Sequence, residues 1–251
     1  LVQSVERAIS ILEVLERSSE PLGVTEISNR LALHKSTTFG LLHTLESKGF
    51  VNQDPENGKY KLGLRLFEIG ENVHKRMNLR YQARPFLQKL VKEFNETVHL
   101  VVKTDNEYVY IDKVEGPQAI RMYSQIGKRA LMHCTGVGKS ILAFLSEDEL
   151  EDILNSIELT EFTPNTITNL TQLKDQLVKI KKQGYSIDDE EIEIGLRCVA
   201  APIFNHNGEA IAAISIAGPT TRMTYERIAE LIVPIKETAL AISSTLGCKR
   251  R

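Results

Sequence analysis

The sequence predicts an α+β chain in two parts: a helical head closed by a short hairpin, then a longer antiparallel region of strands with helices added. Two observations carry the first part. Apolar residues recur at helical spacing up to about residue 48, and the turn-rich run Asp54-Pro55-Glu56-Asn57-Gly58 then separates two short extended pieces. The second part rests on extended runs that meet at tight turns, Asp105-Asn106 and Asn207-Gly208, where a parallel sheet would need helical crossovers. With 251 residues, 42% hydrophobic and 25% charged, the chain has enough apolar material for two cores.

In the head, residues 4–18 read as a helix with Val5, Ile9, Leu12 and Leu15 on one face, ended by Ser18-Ser19-Glu20-Pro21-Leu22. A second helix is expected over 24–31, with Gly23 as its N-cap and Glu26 three residues on. Ala32-Leu33-His34 forms a turn, and a third helix runs over 35–48 with Leu41, Leu42 and Leu45 facing inward. Gly49 ends it, since the residue after a helix often needs positive φ. Residues 50–53 and 59–62 then flank the hairpin turn. Helix, turn, helix and hairpin in this order make a winged helix-turn-helix.

Residues 1–63 are therefore expected to be a winged helix-turn-helix domain, 64–80 a linker helix, and 81–251 a second domain. Pro85 is expected to break the helical stretch 64–92, with Leu87, Leu90, Val91 and Phe94 facing a core beyond it. Strands are expected over 97–103, 108–114, 119–125, 185–188, 198–204 and 210–216. Helices are expected over 136–145, 148–153, 170–183 and 224–246.

A run of about 18 apolar residues, which a membrane span needs, does not occur, and Glu6 and Arg7 interrupt any signal-peptide core; a cytoplasmic address is expected. Cys134, Cys198 and Cys248 lie far apart, outside the spacings of metal or redox motifs, and Cys248, beside a basic tail, is expected at the surface. No metal or cofactor is expected.

A recognition helix enters the major groove by its N-terminal half, which here is Lys35-Ser36-Thr37-Thr38. Short hydroxyls and a lysine can contact phosphates and base edges, and a helix N-terminus favours anions. In the wing, Lys59 and Lys61 are spaced to lie on one side of an extended strand and reach the DNA backbone. Charge adds little. Residues 1–84 hold 12 Lys and Arg against 10 Asp and Glu, a balance of +2 within a chain of net charge −2. Helix–turn–helix–hairpin order, not charge, carries the expectation of double-stranded DNA as partner.

These residues also carry a family resemblance. Leu22-Gly23-Val24-Thr25-Glu26-Ile27, His34-Lys35-Ser36-Thr37, Leu41-Leu42, Leu45-Glu46, Gly49-Phe50-Val51 and Tyr60-Lys61-Leu62-Gly63 resemble the IclR family of bacterial transcriptional regulators. So do Arg121-Met122, the run from Met132 to Lys139, the run from Gly184 to Glu191, Gly195-Leu196-Arg197-Cys198 and Ala212-Ala213-Ile214-Ser215-Ile216. The resemblance covers nearly the whole chain. It implies a GAF-like effector domain in the second half and a repressor of a catabolic operon that works as a homodimer or a dimer of dimers. One departure is Gly40, where the family often has a basic residue; a helical glycine costs about 1 kcal/mol relative to alanine.

Gly136-Val137-Gly138-Lys139-Ser140 imitates part of a phosphate-binding loop, but the full pattern needs a glycine where His133 stands. A loop entering a helix can instead present backbone N–H groups to a carboxylate. The resemblance gives it this role: the amides near Gly136 and Val137 and the Ser215 hydroxyl on the carboxylate of a small organic acid, Asp188 accepting from a ligand hydroxyl, and Met122, Ala130 and Cys198 forming the wall. It also points to members that sense glyoxylate, pyruvate or sugar-acid products such as 2-keto-3-deoxygluconate. A second serine common in the family is Ala217 here.

From the residues alone, Asp189, Glu190 and Glu191 read as a solvated acidic loop, Asp188 reads as either loop or ligand contact, and Cys198 reads as core. His99, His133, Cys134 and Cys198 are the residue types of a catalytic or metal cluster, but their spacing supports neither, and a non-enzymatic protein is expected. Two rival readings stand beside the regulator: a keto-acid enzyme with an accessory winged domain, and an architectural DNA binder indifferent to effectors.

Overall fold

The computed structural model describes residues 1–76, 78–118 and 124–249. The chain divides into two compact units, Leu1–Met77 and Asn78–Arg251. The first unit holds α1 (Gln3–Glu16), α2 (Val24–Arg30), α3 (Lys35–Ser47), the strands β1 (Val51–Gln53) and β2 (Tyr60–Leu62), and α4 (Leu64–Arg76). Ile11, Leu15, Leu22, Ile27, Leu42, Val51 and Tyr60 form its core. The Gly23 N–H donates to the Glu26 carboxylate at 2.7 Å, which caps α2 as the sequence spacing suggested. Gly49 follows α3 at φ +74°. β1 and β2 pair antiparallel, Val51 opposite Leu62, and Leu22 adds a bridge to Tyr60 that ties the wing to the start of α2.

The second unit comprises α5 (Asn78–Phe94), β3 (Thr97–Thr104), β4 (Glu107–Val114), β5 (Arg129–Leu131), α6 (Gly136–Leu142), α7 (Glu147–Ser156), α8 (Leu170–Gln183), β6 (Ser186–Asp189), β7 (Leu196–Phe204), β8 (Ala210–Pro219) and α9 (Tyr225–Thr245). Its six strands form one antiparallel sheet in the order β5-β4-β3-β8-β7-β6. The α+β class therefore holds, with an N-terminal helix-turn-helix and a C-terminal antiparallel sheet flanked by helices. Against one face, α6, α7 and α8 bury Ile141, Leu142, Ile153, Leu154, Leu173 and Leu177 over Val101, Ala200 and Ala213. Residues of opposite parity, among them Leu100, Val199 and Ile214, are also fully buried, and α5 and α9 pack against β3, β4, β7 and β8.

Several expectations need correction. Pro85 lies inside α5 and does not end a helix; α4 ends at Arg76 and α5 begins at Asn78. The expected strand at 119–125 lies mostly outside them too, and its last two residues, Ser124 and Gln125, are irregular. β5 was not foreseen: three residues are too short for a periodicity to register. Cys248 is buried against Phe204 and Ala210 despite its basic neighbours.

Candidate ligand cavity and nucleic-acid interface

Strand alternation assembles the candidate site. Because side chains at i and i+2 share a face, Ser186 and Asp188 of β6, Cys198 and Ala200 of β7, Ser215 and Ala217 of β8, and His99 of β3 all lie on the face toward α6. The register sets them side by side: Asp188 opposite Cys198, Cys198 opposite Ala217, Ala200 opposite Ser215, and Ser215 opposite His99. Tyr108 and Tyr110 of β4 extend the row, with Tyr108 opposite Ala130 of β5. A cavity of about 230 Å³ opens there, lined by Ala130, Gly136, Val137, Asp188, Cys198 and Ser215 of the sequence-derived set. Met122, the remaining member, lies outside the described residues.

The start of α6 closes the cavity. Thr135 is its N-cap, and its hydroxyl accepts from the Gly138 N–H at 3.2 Å. Glycine is required here by approach distance. A Cβ on Gly138 would stand 2.4 Å from the Met132 carbonyl oxygen, and one on Gly136 only 2.7 Å from Cys198 Sγ. Ser186 fixes the helix laterally, donating to the Gly136 carbonyl at 2.5 Å while Ser140 lies 2.7 Å from the same hydroxyl. Lys139 is fully buried and ion-paired with Glu191. The lysine that imitates a nucleotide-binding loop is thus taken up by an ion pair inside the protein.

Glu191 was expected in solvent and is instead 4% exposed; Asp188 is 2% exposed. Asp188 Oδ1 accepts from the Glu191 N–H at 2.8 Å. Burial pushes the Asp188 carboxyl up to about 7; hydrogen bonds from the Glu191 amide oppose the shift, and the Glu191 charge adds to it. Asp189, by contrast, pairs with Arg197 at 2.6 Å. Cys198 is held well above the ordinary thiol range and Cys134 rises to about 12, both chiefly by burial, so neither is a ready nucleophile. Among the described residues no three His, Cys, Asp or Glu side chains gather as a metal site.

Sequence reasoning missed part of the lining: His99, Tyr108, Tyr110, Ser124, Thr135, Ile192 and Leu196. A lone histidine beside a strand is usually structural, so His99 does not stand out in the sequence. Its parity with Val101 and the Tyr108/Tyr110 alternation were the available signals, but without the β3–β8 register nothing joined His99 to Ser215.

In the first unit, Lys35, Ser36, Lys59 and Lys61 are exposed and Thr37 is half-buried. Buried Tyr60 separates the two wing lysines, which therefore share the outward side. Thr38 departs from expectation: it is fully buried, and its hydroxyl donates to the His34 carbonyl at 3.2 Å. It secures the first turn of α3 and is withdrawn from the contact set. Phe39, 55% exposed, and the open space around Gly40 occupy the adjoining surface.

Residues 4–55 match the family model of the IclR helix-turn-helix domain, and residues 71–244 match that of the bacterial transcriptional regulator IclR C-terminal domain. The chain belongs to the IclR family of bacterial transcriptional regulators. The HTH-type transcriptional regulator XynR of Escherichia coli (strain K12) is 40% identical over 247 residues, 98% of each chain. KdgR of the same organism is 37% identical over 98% of this chain and 93% of its own, and the HTH-type transcriptional repressor AllR of Salmonella typhi is 38% identical over 98% and 91%. The crystal structure of the Thermotoga maritima IclR protein superimposes with a TM-score of 0.81 at 42% identity, covering 98% of this chain and 100% of that one. Family membership thus spans both units, and the IclR relatives are regulators rather than catalysts by name. No described helix is long and apolar enough to cross a membrane.

Proposed function

We propose that this chain is a cytoplasmic, non-enzymatic repressor of a catabolic operon that binds its operator as a homodimer or dimer of dimers and is switched by a small organic acid. The observation that carries the effector reading is the cavity beside α6, where Asp188, Cys198, Ser215 and the Gly136–Val137 backbone come together. At about 230 Å³ it falls below the range of drug-sized pockets, roughly 300–1,000 Å³, and suits a compact acid. Glyoxylate, pyruvate and six-carbon keto sugar acids are the first candidates. Ser215 and the amides of Gly136 and Val137 take the carboxylate, Asp188 a ligand hydroxyl, and Ala130 and Cys198 the wall.

Lys35, Ser36, Thr37, Lys59 and Lys61 are proposed to meet DNA. Oligomerisation is supported by exposed apolar side chains on two helices of the first unit: Val5 and Ile9 on α1, and Leu64 and Phe67 on α4. A single recognition helix covers little DNA, and a two-fold pair on a palindromic site doubles the footprint.

A thermal-shift screen against small carboxylic acids tests the reading, because a ligand of the native state raises stability. A hit should also release a labelled operator fragment. Turnover of the acid with no DNA shift would replace the regulator with the enzyme reading. Salt-sensitive binding that ignores both sequence and acids would leave only an architectural role.

A further inference from the structure

His99 stands at the centre of the sheet, 1% exposed, and both of its ring nitrogens face a serine. Nε2 lies 2.7 Å from Ser124 Oγ, and Nδ1 lies 3.4 Å from Ser215 Oγ. Tyr110 meets the ring edge-on, centroids 5.4 Å apart, which fixes its plane. Burial, with the Lys113 charge adding to it, lowers the imidazole pKa to about 3, so the ring is neutral. A neutral imidazole has one donor and one acceptor nitrogen. Hydroxyl donors make bonds near 2.7–2.8 Å, whereas N–H donors sit nearer 2.9–3.0 Å. The 2.7 Å contact sits at the mode for a hydroxyl donor and at the short limit for an N–H donor, which favours Ser124 O–H donating to Nε2 with the ring proton on Nδ1.

We propose that His99 is a positioning residue that sets the polarity of Ser215: its Nδ1–H donates to Ser215 Oγ, the Ser215 hydroxyl proton is turned into the cavity, and the site there selects an acceptor oxygen, a carboxylate or keto group, over a hydroxyl donor. The opposite tautomer would make Ser215 spend its proton on Nδ1 and offer only lone pairs to the ligand. The assignment deepens the organic-acid reading of the cavity and rests on it for the ligand class, while the tautomer itself stands on the protein alone.

The test uses the full chain with ¹⁵N-labelled histidine. A long-range ¹H–¹⁵N spectrum at pH 7, with His99→Asn for assignment, is expected to give a neutral ring with a protonated Nδ1 and a bare Nε2. A bare Nδ1, or an imidazolium, overturns the proposal. In Ser124→Ala, a milder change, the proton should redistribute toward Nε2; an unchanged spectrum would mean that Ser124 does not hold the tautomer. Sodium glyoxylate, pyruvate and gluconate then serve as probes in thermal shift. An asparagine amide nitrogen falls near the place of Nδ1 and a glutamine amide nitrogen near that of Nε2. His99→Asn should accordingly keep the affinity of wild type within a few-fold, and His99→Gln should lose about tenfold, the size of one hydrogen bond to a charged group. Equal losses in both variants would reduce His99 to a packing role. If none of the three acids moves the wild-type protein, the organic-acid reading fails, and the spectrum still decides the tautomer.

Discussion

The two units put their polar residues to opposite uses. In the winged unit the candidate contacts, Lys35, Ser36, Lys59 and Lys61, are exposed, and the buried core beneath them is almost wholly apolar. In the sheet unit the polar residues at and behind the candidate cavity are buried: His99, Lys139, Ser140, Ser186, Asp188, Glu191 and Ser215 are each below 6% exposure. A surface that meets DNA can rely on water to solvate its polar groups until the partner arrives. A cavity that captures a small acid has to hold its polar groups dry and already paired, because each unmet one costs free energy. The sheet unit should therefore be the more fragile of the two to polar substitutions.

The sharpest way to break that contrast is the buried ion pair. Lys139→Met leaves the buried Glu191 carboxyl without its ion-pair partner, and removing one partner of such a pair costs about 3–5 kcal/mol. Denaturant unfolding followed in the sheet unit should show this loss. Lys139→Met combined with Glu191→Leu should recover a large part of it. An undiminished stability in the single variant would mean that Glu191 is solvated after all, and the two units would not differ in the way described.

The exposed set should behave differently. Ser36→Ala with Thr37→Ala is expected to leave the unfolding midpoint nearly unchanged and to weaken site-specific binding by about 1–3 kcal/mol, read by gel shift on the operator against a scrambled duplex. Thr38→Val supplies the contrast within the same turn. It should cost about 0.5–1.5 kcal/mol of stability through the lost bond to His34 and leave specificity alone.

How legible each unit was follows from the same difference. Core spacing, the Gly23–Glu26 cap and the wing turn are local in sequence, so the head could be read almost residue by residue. Thr38 is the exception, since a hydroxyl at a helix start is equally suited to solvent and to the carbonyl four residues back. The cavity is non-local: His99 and Ser215 are 116 residues apart, and only the antiparallel register joins them. The family resemblance supplied Gly136, Asp188, Cys198 and Ser215, and alternation within a strand could add neighbours only once the pairing was in hand. Glu191 is not legible because an Asp-Asp-Glu-Glu run looks solvated, and nothing near it in sequence announces that Lys139 is its partner.

Protonation sharpens the contrast further. Asp188 has a folded pKa raised from 3.8 to about 7, so its neutral form is favoured: the stability it contributes is full below pH 3.8 and is lost as pH rises through 7. His99, lowered from 6.5 to about 3, contributes stability above pH 6.5 that is lost as pH falls through 3. Between these limits the two slopes oppose, and Asp188→Asn should expose the His99 slope as a steeper acid loss in thermal melts. Binding of a carboxylate beside Asp188 should weaken by up to about tenfold per pH unit above 7 and level off below it. Asp188→Asn should flatten that profile; a profile that keeps its bend would assign the proton to another group.

The smallest effect belongs to Gly40, an exposed residue of α3 whose carbonyl accepts from the Thr44 hydroxyl at 2.9 Å and whose missing side chain would face open space. A Cβ at Gly40 meets no atom within 4 Å, and its φ is not in the left-handed region, so alanine fits without strain. Gly40→Ala should stabilise the winged unit by up to about 1 kcal/mol, the difference in helix propensity, and leave the sheet unit untouched. Its effect on DNA decides why glycine stands there. If operator affinity rises in step with stability, the glycine is only a weak point in α3. If affinity falls while stability rises, the helix needs the missing methyl to seat its backbone close to the groove, and the first unit has a close-packed requirement of its own, met at the DNA surface as Gly136 and Gly138 meet theirs inside the protein.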